Sequence, residues 1–156
     1  MTPVPALRPL WTCPRCGHRF TTRNAWHSCG IVPIGSLFTR CEPHVRALFN
    51  RLVEIAEGFG PVTVIPQKTR IVLQVRMRFA AAMPQKSALK GHLVLSRHCE
   101  HPRFTKIESL SPRSHVHAFR LQSAAELDAR FLRLVGEAYL VGCQTPSAER
   151  RRSRWQ

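Results

Sequence analysis

Four side chains near the N-terminus have the types and spacing of a metal site: Cys13 and Cys16 in Cys13-Pro14-Arg15-Cys16-Gly17, then His27 and Cys29 in His27-Ser28-Cys29-Gly30. Two cysteines separated by two residues can direct both sulfurs at one ion, and Gly17 can take the positive φ that turns backbone N–H groups towards thiolates. Three thiolates and one imidazole make a closed tetrahedral zinc site with no open position for an activated water, so the expected role of zinc is structural. So short a segment cannot bury a core of its own, and metal binding would supply its folding free energy. The second half of the set is less standard, because positions i and i+2 do not share a helix face. A short helical turn through Asn24 to Trp26 would deliver His27, and Gly30 would let the chain bring Cys29 round beneath an apolar cap of Trp11, Phe20 and Trp26. Cys41 or His44, in Cys41-x-x-His44 at a helix start, is an alternative to His27 or Cys29.

A second group with chemical potential is the histidines, since His92, His98, His101, His115 and His117 fall within 26 residues. A general base or a second metal could be built from them. However, His115 and His117 share a strand face with Phe119 and Leu121, which favours packed, hydrogen-bonded imidazoles. Glu100 and Glu108 are the only nearby acids. Two-metal phosphoryl chemistry, which needs clustered carboxylates, is therefore excluded, and an enzyme built on His92, His101, His115 and His117 is the least favoured reading.

The third signal is charge. The 156-residue chain has 24 Lys+Arg against 9 Asp+Glu, a formal charge of +15. Residues 61–106 hold nine of the cations and one acid, whereas the flanking segments 41–60 and 123–142 are each at −1. A basic face for nucleic acid is expected, made of Arg15, Arg19 and Arg23 in the knuckle with Lys68, Arg70, Arg76, Arg78, Lys86, Lys90, Arg103 and Arg113. Few aromatics accompany these cations, so phosphate contact rather than base stacking is expected. A solvated basic surface, or a protein-interaction module with the knuckle as its docking surface, would have the same composition.

The elements that must position these groups follow from periodicity. Val45, Leu48, Phe49, Leu52, Val53 and Ala56 recur at helical spacing after Pro43, which predicts a helix over about 43–57. Val62–Ile65, Thr69–Val75, Phe79–Met83, Leu89–Ser96 and Val116–Leu121 read as strands separated by turn residues. Arg70, Val72, Gln74 and Arg76 would share one strand face, opposite Ile71, Leu73 and Val75. Ser123-Ala124-Ala125-Glu126 fits a capping box ahead of a helix with the stripe Leu127, Phe131, Leu134, Val135 and Ala138. The expected fold is α+β: a mostly antiparallel five-stranded sheet flanked by an N-terminal and a C-terminal helix, in the order α-β-β-β-β-β-α, preceded by a small zinc knuckle. The expected divisions are a zinc-knuckle segment over 1–40, the α+β domain over 41–142, and a basic, disordered tail over 143–156 ending in Arg150-Arg151-Arg152-Ser153-Arg154-Trp155.

The longest apolar run, Phe79–Met83, is five residues, far short of a membrane span. Three prolines in the first nine residues oppose a targeting helix, and the odd, irregularly spaced cysteines left after the knuckle argue against a disulfide framework. A soluble cytoplasmic protein is expected.

The run Trp11-Thr-Cys-Pro-Arg-Cys-Gly-His-Arg-Phe20, with Asn24, His27-Ser28-Cys29-Gly30, Gly60-Pro61-Val62 and Lys68-Thr69-Arg70-Ile71, resembles bacterial proteins of the domain-of-unknown-function 5655 family. The likeness continues through Phe79, Gly91-His92-Leu93, His101-Pro102-Arg103-Phe104 and His115-Val116-His117-x-Phe119-Arg120 to the closing helix. The resemblance implies a small α+β domain of unassigned activity, with knuckle ligands falling on Cys13, Cys16, His27 and Cys29.

Overall fold

The computed structural model describes residues 9–24 and 32–144. Strands β1 (Trp11–Thr12) and β2 (Arg19–Phe20) form a short hairpin, and a 3₁₀ turn (Ile34–Phe38) leads into α1 (Pro43–Glu57). Six strands follow: β3 (Thr63–Pro66), β4 (Ile71–Gln74), β5 (Arg78–Pro84), β6 (Leu89–Leu95), β7 (Phe104–Ser111) and β8 (Ser114–Leu121), before α2 (Ala129–Gly142). The larger sheet has the order β3-β4-β5-β6-β8-β7, and every pairing in it is antiparallel. No helix among the described residues is long and apolar enough to cross a membrane. His27, Cys29 and Trp26 lie outside the described residues, as do residues 145–156 of the basic tail.

The class is α+β, as the element order predicts, but the sheet has six strands rather than five. The additional strand is β7, whose apolar residues Phe104, Ile107 and Leu110 recur every third position and so do not look like a strand. Two irregularities of register, between Phe104 and Lys106 and between Ser109 and Ser111, explain that spacing. Each inserts an unpaired residue and resets which face the next side chain takes. As β7 is also an edge strand with most residues exposed, it has no apolar face to advertise.

The start of α2 is likewise shifted. Ser123 makes no side-chain cap, and Ala124–Glu126 is a 3₁₀ turn. The helix begins at Ala129, capped by Asp128, whose Oδ1 accepts the Phe131 N–H at 2.7 Å. An Asp carboxylate satisfies an orphan N–H and favours the positive end of the helix dipole. Glu126 turns back instead: its carboxylate accepts the Gln122 N–H at 3.0 Å and pairs with Arg103 at 3.0 Å.

Both helices pack on the same face of the sheet, against β5 and β6. That face carries the core: Ile71 and Leu73 of β4, Ala80 and Ala82 of β5, Leu89 and Leu93 of β6, and Phe119 and Leu121 of β8, closed by Leu52 of α1 and by Phe131 and Val135 of α2. Phe119 and Phe131 meet edge-to-face at 5.4 Å and 88°. Complete burial of each contributes about 1.5–3 kcal/mol. Gly91 lies in the same row, between Ala82 and Phe119. A Cβ there would collide with the Ala81 carbonyl oxygen and the Phe119 ring, and the former is strand backbone that cannot step aside. Gly91→Ala is therefore expected to destabilise the domain by about 1–3 kcal/mol, the cost of overpacking, read as a lower urea midpoint. An unchanged midpoint would contradict this packing.

Candidate functional site

The alternation that builds the core turns the intervening residues to the opposite face, on which neither α1 nor α2 packs and where Ile65, Val72 and Ala81 form a second buried cluster rimmed by exposed cations. Register places Ile65, Val72, Ala81, His92, Ala118 and Lys106 side by side across all six strands on that face. Lys90 and Arg120 stand directly opposite each other one step along. Like charges so placed repel, a cost that strand pairs normally avoid. Gln74 and Arg78 are register partners in the row on the other side of His92. Arg70 precedes Ile71 and so continues the side of Val72. Arg70, Arg78, Lys90 and Arg120 are all exposed, and none forms an ion pair among the described residues.

The acids lie elsewhere: among the described residues only Glu108 is on a strand, and the rest sit on or beside the helices and the loop after β6. Those acids hold their own cations, Arg51 with Glu54 at 3.2 Å, Arg97 with Glu137 at 3.1 Å and Arg103 with Glu126 at 3.0 Å. Arg70 acts on both Arg78 and His92. Burial and then Arg70 lower the Arg78 guanidinium, and burial and then Arg70 push the His92 imidazole below its usual range.

The basic residues expected from sequence are thus divided. Arg70, Arg78 and Lys90 come together on the face away from the helices. Lys68, Lys86 and Arg113 occupy the β3–β4, β5–β6 and β7–β8 turns, and Arg15, Arg19 and Arg23 are exposed on the N-terminal hairpin and its exit. Arg76 leaves the face expected for it, because β4 ends at Gln74; its Nε donates to Gln144 Oε1 at 3.0 Å. Arg103 is committed to Glu126. Arg120 belongs to the site although charge counting passed it over; its alternation with Phe119 and Leu121 was the available signal. Lys106 joins only through β7, which sequence did not reveal.

The N-terminal hairpin is tied to the face away from the helices. Gln74 is 2% exposed and its Nε2 donates to the Arg19 carbonyl, while its Oε1 has no hydrogen-bond partner among the described residues. Within the hairpin, Trp11 pairs with Phe20 and Thr12 with Arg19. The Cys13 N–H donates to His18 O at 2.8 Å, the Gly17 N–H to Cys13 O at 2.9 Å, and Gly17 takes φ +75°. This is the tight turn that two cysteines need to share an ion. The alternative pair is engaged elsewhere: Cys41 Sγ donates to Leu37 O at 3.7 Å, and His44 Nε2 donates to Ser87 O at 2.9 Å. No group of three metal-ligating side chains occurs among the described residues.

Three histidines of the cluster are held by hydrogen bonds. His117 is fully buried; its Nε2 accepts the Cys99 N–H and its Nδ1 donates to His115 O, both at 3.0 Å. His101 Nδ1 accepts the Arg103 N–H at 3.0 Å, so its Nε2 donates to Asp128 Oδ1 at 3.2 Å. His115 Nε2 donates to Pro112 O at 3.2 Å, and its Nδ1 accepts from the Ser109 hydroxyl at 2.7 Å. A base whose lone pair is already taken cannot collect a substrate proton. His98 and Glu100 border a polar cleft of about 670 Å³ along β7, together with His101, Lys106 and Arg130.

An α+β domain with one helix-covered face and a second face bordered by exposed cations is the class that this geometry defines. The family model described as a domain of unknown function (DUF5655) matches residues 34–142, and the chain belongs to that family. No curated protein and no solved structure matches the chain.

Desolvation is the first cause holding His117 below its ordinary value of 6.5, and the unfolded chain therefore takes up this proton before the folded one does. The corresponding stability is complete above the unfolded value and is lost as pH falls towards the folded one. The urea midpoint is expected to fall between about pH 7 and about pH 5, while ¹⁵N spectra keep His117 as the neutral Nδ1–H tautomer through the upper part of that window. An Nε2–H tautomer would contradict the hydrogen-bond assignment.

Proposed function

We propose that this protein binds nucleic acid through phosphate contacts with the exposed cations on the face of its sheet away from α1 and α2, with a structural zinc knuckle beside that face. The observation that carries this reading is the set Arg70, Arg78, Lys90 and Arg120, without ion pairs among the described residues, on a face where register places one described acid, Glu108. A surface that needed only solubility would have no reason to hold Lys90 against Arg120, whereas an incoming phosphate relieves that repulsion. Arginine forks also match phosphate oxygens in geometry. Arg19 extends the cation set, because Gln74 fastens its strand to the sheet. The scarcity of aromatics on this face supports backbone contact over base readout.

The turn at Cys13 and Cys16 fits half of a tetrahedral zinc site. His27 and Cys29 are the proposed remainder. Bound there, zinc supplies folding energy for the hairpin rather than chemistry.

A protein-interaction module is the second reading. It is favoured by an apolar groove of about 400 Å³ on the helical side, lined by Phe59, Leu132, Gly136, Tyr139 and Leu140.

Two measurements test the proposal. Fluorescence anisotropy with duplex and single-stranded oligonucleotides is expected to show affinity that falls steeply with salt, with log K against log[salt] sloping by about −0.9 per neutralised phosphate on duplex DNA. The Lys90→Glu, Arg120→Glu double variant should weaken binding and flatten the slope, while Arg133→Glu on the helical side should leave both unchanged. Absence of binding at low salt would overturn the reading. Elemental analysis should give about one zinc per chain, lost in Cys13→Ser; a metal that survives this change would refute the ligand set.

A further inference from the structure

The larger sheet ends in two unlike edges. β3 is four residues long and closes on Pro66, with Pro61 shortly before it, so proline blunts that edge. β7 is eight residues long, carries no proline and has β8 as its one strand neighbour among the described residues. Alternate backbone N–H and C=O groups of such an edge point away from the neighbour and can receive a further strand. The two register irregularities leave Lys106–Ser109 as the regular stretch of β7. Within it Lys106 and Glu108 stand opposite Ala118 and Val116 on the face away from the helices, and Ile107 stands opposite His117 on the helix side. Lys106 and Glu108 are exposed and form no ion pair among the described residues, and Leu110 further along is 64% exposed.

A second copy of the same strand matches this edge. Antiparallel pairing about a two-fold axis perpendicular to the sheet keeps each side chain on its own face, so only residues of the same alternation phase stand opposite each other. A pairing centred on Lys106 sets two ammonium groups face to face, and one centred on Glu108 does the same to two carboxylates, both unfavourable. One centred on Ser109 sets Glu108 against the partner's Leu110 and matches neither charge. Centred on Ile107, the pairing sets Lys106 against the partner's Glu108 and Glu108 against the partner's Lys106, with the two isoleucines between them. We infer that two copies of this chain join edge to edge through β7, centred on Ile107, into one continuous antiparallel sheet. The same register brings Leu110 to the partner's Phe104, which lines the cleft of about 670 Å³ along β7, so an exposed apolar side chain gains cover. Each copy carries a formal +15, but at about 0.15 M salt the Debye length is about 8 Å, so long-range repulsion is screened while pairs in contact persist. The axis leaves Lys90 and Arg120 of both copies on one side of the joined sheet. The pairing itself stands independently of what that side binds.

The test uses the full chain, freed of nucleic acid by nuclease and a high-salt wash, in sedimentation velocity from micromolar to millimolar concentration at that ionic strength. A concentration-dependent monomer–dimer equilibrium is expected. Lys106→Glu and Glu108→Lys should each weaken it about tenfold, since each sets like charges opposite at both ends of the pairing. The double variant Lys106→Glu, Glu108→Lys should restore it. Mixing the two single variants, one of them ¹⁵N-labelled, should give a heterodimer by native mass spectrometry, because every cross-strand charge pair is then complementary. Leu140→Glu, in the groove on the helical side, should leave the equilibrium unchanged. Urea midpoints check that each variant folds; where one single variant does not, the other single variant and the double variant decide. A chain that stays monomeric across the whole range would overturn the proposal. A dimer indifferent to both swaps, or lost in Leu140→Glu, would place the interface elsewhere and overturn it equally. Weakening in the single variants without rescue in the double variant or the mixture would overturn the register centred on Ile107.

Discussion

The constraint on which everything else depends is the two-residue alternation of the strands combined with a supply of only two helices. An antiparallel sheet must bury one face, and α1 and α2 both pack on the face that carries Ile71, Leu73, Leu93, Phe119 and Leu121. The intervening residues are thereby forced onto the other face, and a one-residue slip of any strand would exchange the two sets. Val72, Ala81, His92 and Ala118 form a line across the other side because their neighbours form the core. The location of the charge is a consequence of that same register.

Electrostatics then sorts the surface. The carboxylates are on or near helix-side elements, where they cap α2 through Asp128 and hold Arg97 and Arg103. Apart from Glu108 on β7, what remains on the sheet is cationic, to the point that Lys90 and Arg120 face each other across β6 and β8. The hairpin bearing Cys13 and Cys16 is linked to this same surface by Gln74, a buried amide that donates to the Arg19 carbonyl. Two features that are separate in sequence, a cysteine turn and a basic stretch, meet at one amide.

Much of this was legible from residue types. The helix over Pro43–Glu57 and the two faces of β4 follow from spacing alone, since each residue's environment is repeated every third or fourth position in the helix and every second position in the strand. β7 was not legible, because its two irregularities break that repetition. Nor was the start of α2, where Ser123 and Glu126 have the right types for a capping box but Asp128 wins through its bond to Phe131. Arg76 was misplaced for a related reason: it lies beyond the end of β4, where alternation no longer dictates direction.

Local pattern therefore determined the element types, the basic character of the central segment and the pair of cysteines on a tight turn, all of which depend on neighbours within a few residues. Pairing and packing decided which cations share a face and which histidines are sealed by hydrogen bonds. The strand face shared with Phe119 and Leu121 marks His117 as packed, but its partners, the Cys99 N–H and the His115 carbonyl, and the place of His92 between Ala81 and Ala118 are set by the assembled sheet. Most of those neighbours lie many residues away and come alongside only when the sheet closes. A hydrogen bond or a shared face is a property of the assembled neighbours, and no spacing along the chain encodes it.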